Sequence, residues 1–183
     1  MRNYEQGPNR KNADGGRLTK VSGALLVRRF SVREPEMYRV IEKVLAQKLT
    51  LIDKAALCEL AQTVMDLELD GIEGDFIHVG DEGVATVIEH AKRRHRTFCV
   101  HGPHETPTES GPCAFAHIDC GEYGLMRVLL EHLAPRLVAG AHLIVDHYQN
   151  REECRHAVDD YFRGKGGFQL FRKSRLHVIR TCQ

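Results

Sequence analysis

From residue 74 to residue 164 the chain alternates short apolar runs with longer amphipathic ones, and this restricts the fold more than any other feature. "GDFIHVG" (74–80), "TFCVHG" (97–102), "CAFAHIDC" (113–120) and "AHLIVDHY" (141–148) have the length and texture of buried strands. Between them, "EGVATVIEHAKRRH" (82–95), "GLMRVLLEHLAPRL" (124–137) and "REECRHAVDDYFRG" (151–164) have helical spacing. Strands separated by helices make βαβ units and a mainly parallel sheet. Ligands of such sheets sit beyond the carboxyl ends of the strands. "FQLFR" and "RLHVIR" close the chain as a hairpin around Lys173 and Ser174.

Upstream, "EPEMYRVIEKVLAQKL" (34–49) carries Met37, Val40, Ile41, Val44 and Leu45 at helical spacing. A second helix spans about 51–69, with Thr50 as its cap and Asp53 in a capping-box position. "MRNYEQGPNRKNADGGRLTK" (1–20) is polar and rich in Gly and Asn. The sequence therefore predicts a flexible arm over 1–30 and a single α/β domain over 31–183.

A net charge of +1 gives no electrostatic footprint for nucleic acid. No apolar run approaches the roughly 18 residues of a membrane span, and the N-terminus lacks a signal-peptide core. The six cysteines form no C-x-x-C pair and read as reduced thiols, which points to a cytoplasmic protein. The expected partner is a small-molecule substrate, not nucleic acid or a membrane.

Eleven histidines are the compositional oddity, and several fall at strand ends. The first strand ends with His78, the second with His101, and His104 follows in its loop. The third carries His117, Asp119 and Cys120, and the fourth ends on Asp146 and His147. In a doubly wound order the first, third and fourth strands are neighbours, roughly 4.8 Å apart. His78, Asp119, Asp146 and His147 are thus candidate ligands of one divalent transition metal, with His78, Asp119 and His147 leading. An imidazole–carboxylate set suits Fe, Zn or Mn better than Mg. His101 and His104 are candidate general acids or bases. Asp146 is either a ligand or an orienter of an imidazole. Gly80 and Gly83, in the turn "HVGDEGV", are candidates for close backbone approach to a cofactor. An ordinary tight turn explains them equally. Cys120 reads as a small buried thiol, Tyr123 and Tyr148 as a substrate border. His90, His95, His132, His156 and His177 read as surface or packing residues.

"GIEGDFIHVGDEG", "FCVHGPHETP", "FAHIDCGEYGLMRVLLEHLAPRLVAGAHLIVDHY" and "CRHAVDDYF" together resemble the macrocin O-methyltransferase family, which has the class I methyltransferase fold. The resemblance implies a Rossmann-like sheet, S-adenosylmethionine, a divalent metal (often Mg) and methylation of hydroxyls on natural products. The chain departs from that family in several places. His78 stands where the family has Glu, and His101 where it has an Asp near the cofactor's ribose. Gly121 replaces the second acid of the family's Asp-Gly-Asp motif, whose first acid matches Asp119. Between the second and third strands the family has a further strand–helix unit that helps enclose adenine. Here only the loop "ETPTESGP" remains, too short for a crossover of roughly 30 residues. These losses predict that S-adenosylmethionine is not bound in the usual way. They favour a repurposed scaffold holding a His/Asp metal site for natural-product tailoring. Two alternatives stand beside it. One is a divergent metal-dependent O-methyltransferase completed by another subunit. The other is a non-catalytic partner protein, since a fold implies no activity. The missing unit also leaves the second strand as a sheet edge. Edges need cover, so the arm or a second protomer of a homo-oligomer is expected there.

Overall fold

A computed structural model describes residues 15–93, 96–108 and 111–181, with side chains from residue 23 onward. Three helices lead in chain order: α1 (Gly15–Arg33), α2 (Pro35–Ala46) and α3 (Lys54–Leu69). The alternating part follows as β1 (Asp75–Val79), α4 (Glu82–Ala91), β2 (Phe98–His101), β3 (Cys113–Ile118), α5 (Tyr123–Leu133), β4 (Leu137–Val145) and α6 (Glu152–Phe162). The hairpin β5 (Phe168–Arg172) and β6 (Leu176–Arg180) ends it.

The six strands lie in the order β2-β1-β3-β4-β6-β5. β1 to β4 run parallel, and β6 joins β4 and β5 antiparallel. The first, third and fourth strands are neighbours, as the sequence predicts. β2 is the edge, with no strand beyond it among the described residues, and its Val100 is 48% exposed. The absent strand–helix unit accounts for that edge.

The pleat sends alternate residues to opposite faces. Ile77, Val79, Ala116, Ile118, Leu143 and Val145 pack under α5 and α6. Phe76, Phe115 and Ile144 pack under α1 to α4 with Ile41, Leu57, Leu60, Val64, Val84 and Ile88. His78 and His117 share the second face by parity, and the register sets them directly opposite each other.

Three expectations need correction. Residues 15–33 form a helix where the sequence predicted an arm reaching residue 30. Phe30 is buried, Leu26 and Val27 are half-buried, and Gly23 lets the helix approach Ala55 Cβ of α3. Contact with α3 outweighs the weak local pattern; residues 1–14 lie outside the described residues. The cap of α3 is Asp53, which accepts from Ala56 N at 2.9 Å. Thr50 is instead tied to Asp81. Finally, α5 stops at Leu133 because Pro135 follows in a 3₁₀ turn, and β4 begins four residues before Ala141. The five described cysteines are free, and Cys182 lies outside the described residues, as does His95. Among the described residues no helix is long and apolar enough to cross a membrane.

Candidate active site

The polar side chains gather at the carboxyl ends of β1, β3, β4 and the start of β6. Asp81 caps α4 by accepting from Val84 N at 2.8 Å, and its other oxygen takes the Thr50 hydroxyl at 2.6 Å. That bond ties the α2–α3 loop to the β1–α4 turn. Gly80 and Gly83 are both required by the chain itself. A Cβ on Gly80 would lie 2.8 Å from the His78 ring and 2.9 Å from Asp119 Cβ. One on Gly83 would lie 2.6 Å from the Leu49 carbonyl. The space where each Cβ would stand is filled by protein, as an ordinary tight turn requires.

A buried polar chain crosses three strands. His78 Nε2 lies 2.9 Å from the Asp81 carbonyl, which only accepts, so Nε2 carries the proton. Burial, then the charge of His117, pushes His78 down to about 3, so its ring is neutral and Nδ1 is bare. His117 Nδ1, 3.0 Å away, must therefore donate. His117 Nε2 faces Asp146 Oδ2 at 3.3 Å. Two lone pairs would collide there unless a proton lies between them. The chain of bonds thus requires one proton on the His117–Asp146 pair, which makes an imidazolium–carboxylate pair. The titration directions agree. Burial pulls the His117 imidazole down, but Asp146 beside it outweighs burial and raises it above its ordinary value. Burial pushes Asp146 up, but His117 and then Arg175 hold it below the ordinary carboxylate range. Arg175 Nε completes the line at 3.0 Å from Asp146 Oδ1, and its Nη1 lies 3.6 Å from Asp53.

A second pair stands at the surface of this line. His147 Nε2 lies 2.7 Å from Asp119 Oδ1, with side-chain exposures of 31% and 22%. His147 Nδ1 lies 3.3 Å from Asn150 Oδ1. Both ring nitrogens thus face oxygens. Burial, then the charge of Asp146, raises Asp119 above the ordinary carboxylate range. Clefts open on both sides of Asp119. One, of about 490 Å³, is walled by Lys48–Ile52 and floored by Asp119, Asp146, His147 and Arg175. The other, of about 640 Å³, lies between Pro103–His104, the Asp119–Glu122 turn and the start of α6.

The expected metal set is not assembled. Both His78 nitrogens are engaged, Asp119 is taken by His147, and Asp146 is taken by His117 and the Arg175 cation. Among the described residues no group of three or more His, Cys, Asp or Glu side chains could hold an ion. The donors are of metal-ligating type, but they lie against one another as ion pairs, and a guanidinium already supplies the positive charge. A resident metal does not fit this arrangement.

The expected acid–base histidines lie on the β2 side. His104 lines the larger cleft, and His101 Nδ1 is 3.9 Å from Glu105 Oε2. Glu105 was not singled out from sequence. It folds back to accept from Gly102 N at 3.0 Å, which places a carboxylate at the end of β2. An acid four residues past His101, after a Gly-Pro turn, is the signal that could have found it. Arg175 was likewise passed over, and His117, named at the end of the third strand, was given no role. His117 was readable from strand parity, whereas Arg175 reaches Asp146 only through the hairpin. Tyr148 is core and donates to Asp159 at 2.7 Å, and Tyr123 donates to Asp160 at 3.0 Å, so neither lines these clefts. Cys120 is a buried thiol, which burial raises above its ordinary value.

The sheet order and its alternation with helices make this a Rossmann-like α/β domain. Among solved structures, the chain is similar to the O-methyltransferase NovP, with a TM-score of 0.64 and 16% identity, over 90% of this chain and 100% of that one. It is also similar to a putative O-methyltransferase from Klebsiella pneumoniae (TM-score 0.58, 9% identity, 90% and 100% covered). A third is an O-methyltransferase from Bacillus cereus solved with SAH (TM-score 0.51, 9% identity, 78% and 90% covered). At these identities the likeness establishes the fold. No known family profile and no curated protein matches the chain.

Proposed function

We propose that the chain is a small-molecule O-methyltransferase that uses S-adenosylmethionine and the Asp119–His147 pair, with no resident metal. The observation that carries this reading is the 2.7 Å pair on the floor of a cleft, at the rim where parallel α/β sheets bind ligands. The resemblance to macrocin O-methyltransferases and the SAH bound by the Bacillus cereus neighbour support the same reading.

The residues on the larger cleft suit such a co-substrate. Asp119, Glu122, Glu152 and Glu153 make its lining acidic, which favours a cationic group. Glu105 stands at the β2 end, where a carboxylate can accept from ribose hydroxyls. S-adenosylmethionine, when bound, supplies an electrophilic methyl group. The chain's own residues handle the proton. Asp119 orients His147 through Nε2, so this ring is the group on the floor of the smaller cleft that can exchange a proton with a substrate hydroxyl. Asn150 Oδ1 accepts from the protonated ring. The buried His117–Asp146–Arg175 line holds β3, β4 and β6 in register beneath it.

Calorimetry with S-adenosylmethionine and S-adenosylhomocysteine tests the reading. Micromolar binding is expected, unchanged by EDTA, with Glu105→Ala weakening it about tenfold, since a hydrogen bond to a charged group contributes about 1.5 kcal/mol or more. No binding at millimolar ligand, or binding lost to EDTA and restored by a divalent metal, would overturn it.

A further inference from the structure

We infer that the cleft between α1 and the turn of the β5–β6 hairpin binds an organic acid whose carboxylate is carried on a hydrocarbon body. This does not rest on the methyltransferase reading.

The cleft has a volume of about 800 Å³, larger than either beside Asp119 and within the range of small-molecule sites. Its walls differ in chemistry. One is apolar, made by Gly23, Ala24, Leu26 and Val27 of α1 with Ala55 of α3. Leu26 and Val27 are only partly covered by the core beneath them. The other wall is basic. Arg172, Lys173 and Arg175 stand together on the hairpin turn, and Lys54 joins them from the start of α3.

Charge decides the class of ligand. Four cations line the cleft against two carboxylates, Asp53 and Glu59, which leaves two positive charges in excess. Both carboxylates are already engaged. Asp53 caps α3 and faces Arg175 at 3.6 Å. Glu59 is buried and accepts from Ser174 N at 3.1 Å and from the Ser174 hydroxyl. Its other oxygen lies 3.4 Å from His177 Nε2 and 3.7 Å from Lys173 Nζ. The cations keep donors to spare. Arg172 lies over the Tyr148 ring, 4.9 Å from its centroid, and spends only Nη2 on the Tyr148 hydroxyl at 3.2 Å. Arg175 spends Nε and Nη1. Among the described residues, Arg172 Nε and Nη1 and Arg175 Nη2 have no hydrogen-bond partner. A guanidinium held by stacking is preorganised, so it loses little side-chain freedom when it takes a carboxylate. A basic wall facing an apolar one suits an acid with a hydrocarbon tail, and neither a cation nor a neutral polyol.

The test is titration of the full chain with octanoate, hexanoate and octanol at neutral pH, by calorimetry and saturation-transfer NMR. Octanoate is expected to saturate. Hexanoate should bind about tenfold more weakly for its two missing methylenes, and octanol at least tenfold more weakly for its missing charge. Lys173→Gln and Ala24→Asp, both at exposed positions, should each weaken octanoate about tenfold, and Lys173→Arg should keep it within threefold. Saturating S-adenosylmethionine should leave octanoate affinity unchanged, since the cleft proposed for it shares no lining residue with this one. Octanol binding as tight as octanoate overturns the inference. So do octanoate affinities within twofold of wild type in both Lys173→Gln and Ala24→Asp, or displacement of octanoate by S-adenosylmethionine. Octanoate binding that depends on Lys173 and Ala24, in a chain that takes up no S-adenosylmethionine, would sink the methyltransferase reading and leave this one standing. Uptake of S-adenosylmethionine with no saturable octanoate binding would do the reverse.

Discussion

Asp146→Ala is expected to destabilise the fold by about 3–5 kcal/mol in urea denaturation, because it strands two cations in or beside the core. His117 is wholly buried and Arg175 half-buried, and Asp146 is the carboxylate in ion-pair contact with both. Asp146→Asn should cost less. Its amide can donate to His117 Nε2, which lets the ring go neutral with Nδ1–H still donated to His78. A loss under 1 kcal/mol for the alanine variant would mean that the His117–Asp146 proton does not exist in the folded state.

The same network sets a pH dependence. His78 of this network, and His142 on β4 outside it, are pushed down to about 3 and about 4, in each case first by burial. Unfolding returns both to about 6.5, so the unfolded chain binds more protons in between. Their contribution is complete above about 6.5 and is lost as pH falls, by ~1.4 kcal/mol per pH unit for fully buried His78, with His142 adding in the same direction. Asp119, whose folded pKa is raised, opposes this weakly near the carboxylate range. His117 has the opposite sign from His78. Its contribution is complete below about 6.5 and is lost as pH climbs past its raised folded value. Denaturant midpoints from pH 4 to 9 should rise steeply up to about 6.5 and then flatten or turn down. A midpoint independent of pH below 6 would contradict the neutral, buried His78.

The alternation of strands and helices was legible because each buried strand of a parallel sheet needs a crossover to reach its neighbour. "DFIHV", "FCVH", "CAFAHI" and "LIV" all lie within strands. The α1 helix was not legible, because its polar first half hides the Leu26, Val27 and Phe30 stripe that α3 covers. At the site, sequence showed which residue types stand at the strand ends but not which of them bond one another. His78, Asp146 and His147 have the chemistry of metal ligands in isolation. Two things lay beyond local reading: the parallel register that sets His78 against His117, and the hairpin that delivers Arg175 to Asp146. Those two partners turn a ligand set into a self-satisfied polar chain.

His147→Ala is expected to lower kcat for methyl transfer to a phenol by about 10²–10⁴, the usual contribution of a positioned acid–base group. Binding of S-adenosylmethionine should stay within about twofold, because the ring itself lines the smaller cleft and not the larger one. Asp119→Asn should fall less steeply. The amide can still contact the ring, but it no longer stabilises the imidazolium that forms when the proton arrives, so the rising limb of the pH profile should move to lower pH. The two losses should not add in the double variant, since carboxylate and imidazole act as one unit. Phenols of lower pKa should restore part of the rate to His147→Ala, because a substrate already ionised needs no base. Equal losses across a series of phenols from pKa 7 to 10 would show that His147 shapes the cleft and does not receive the proton.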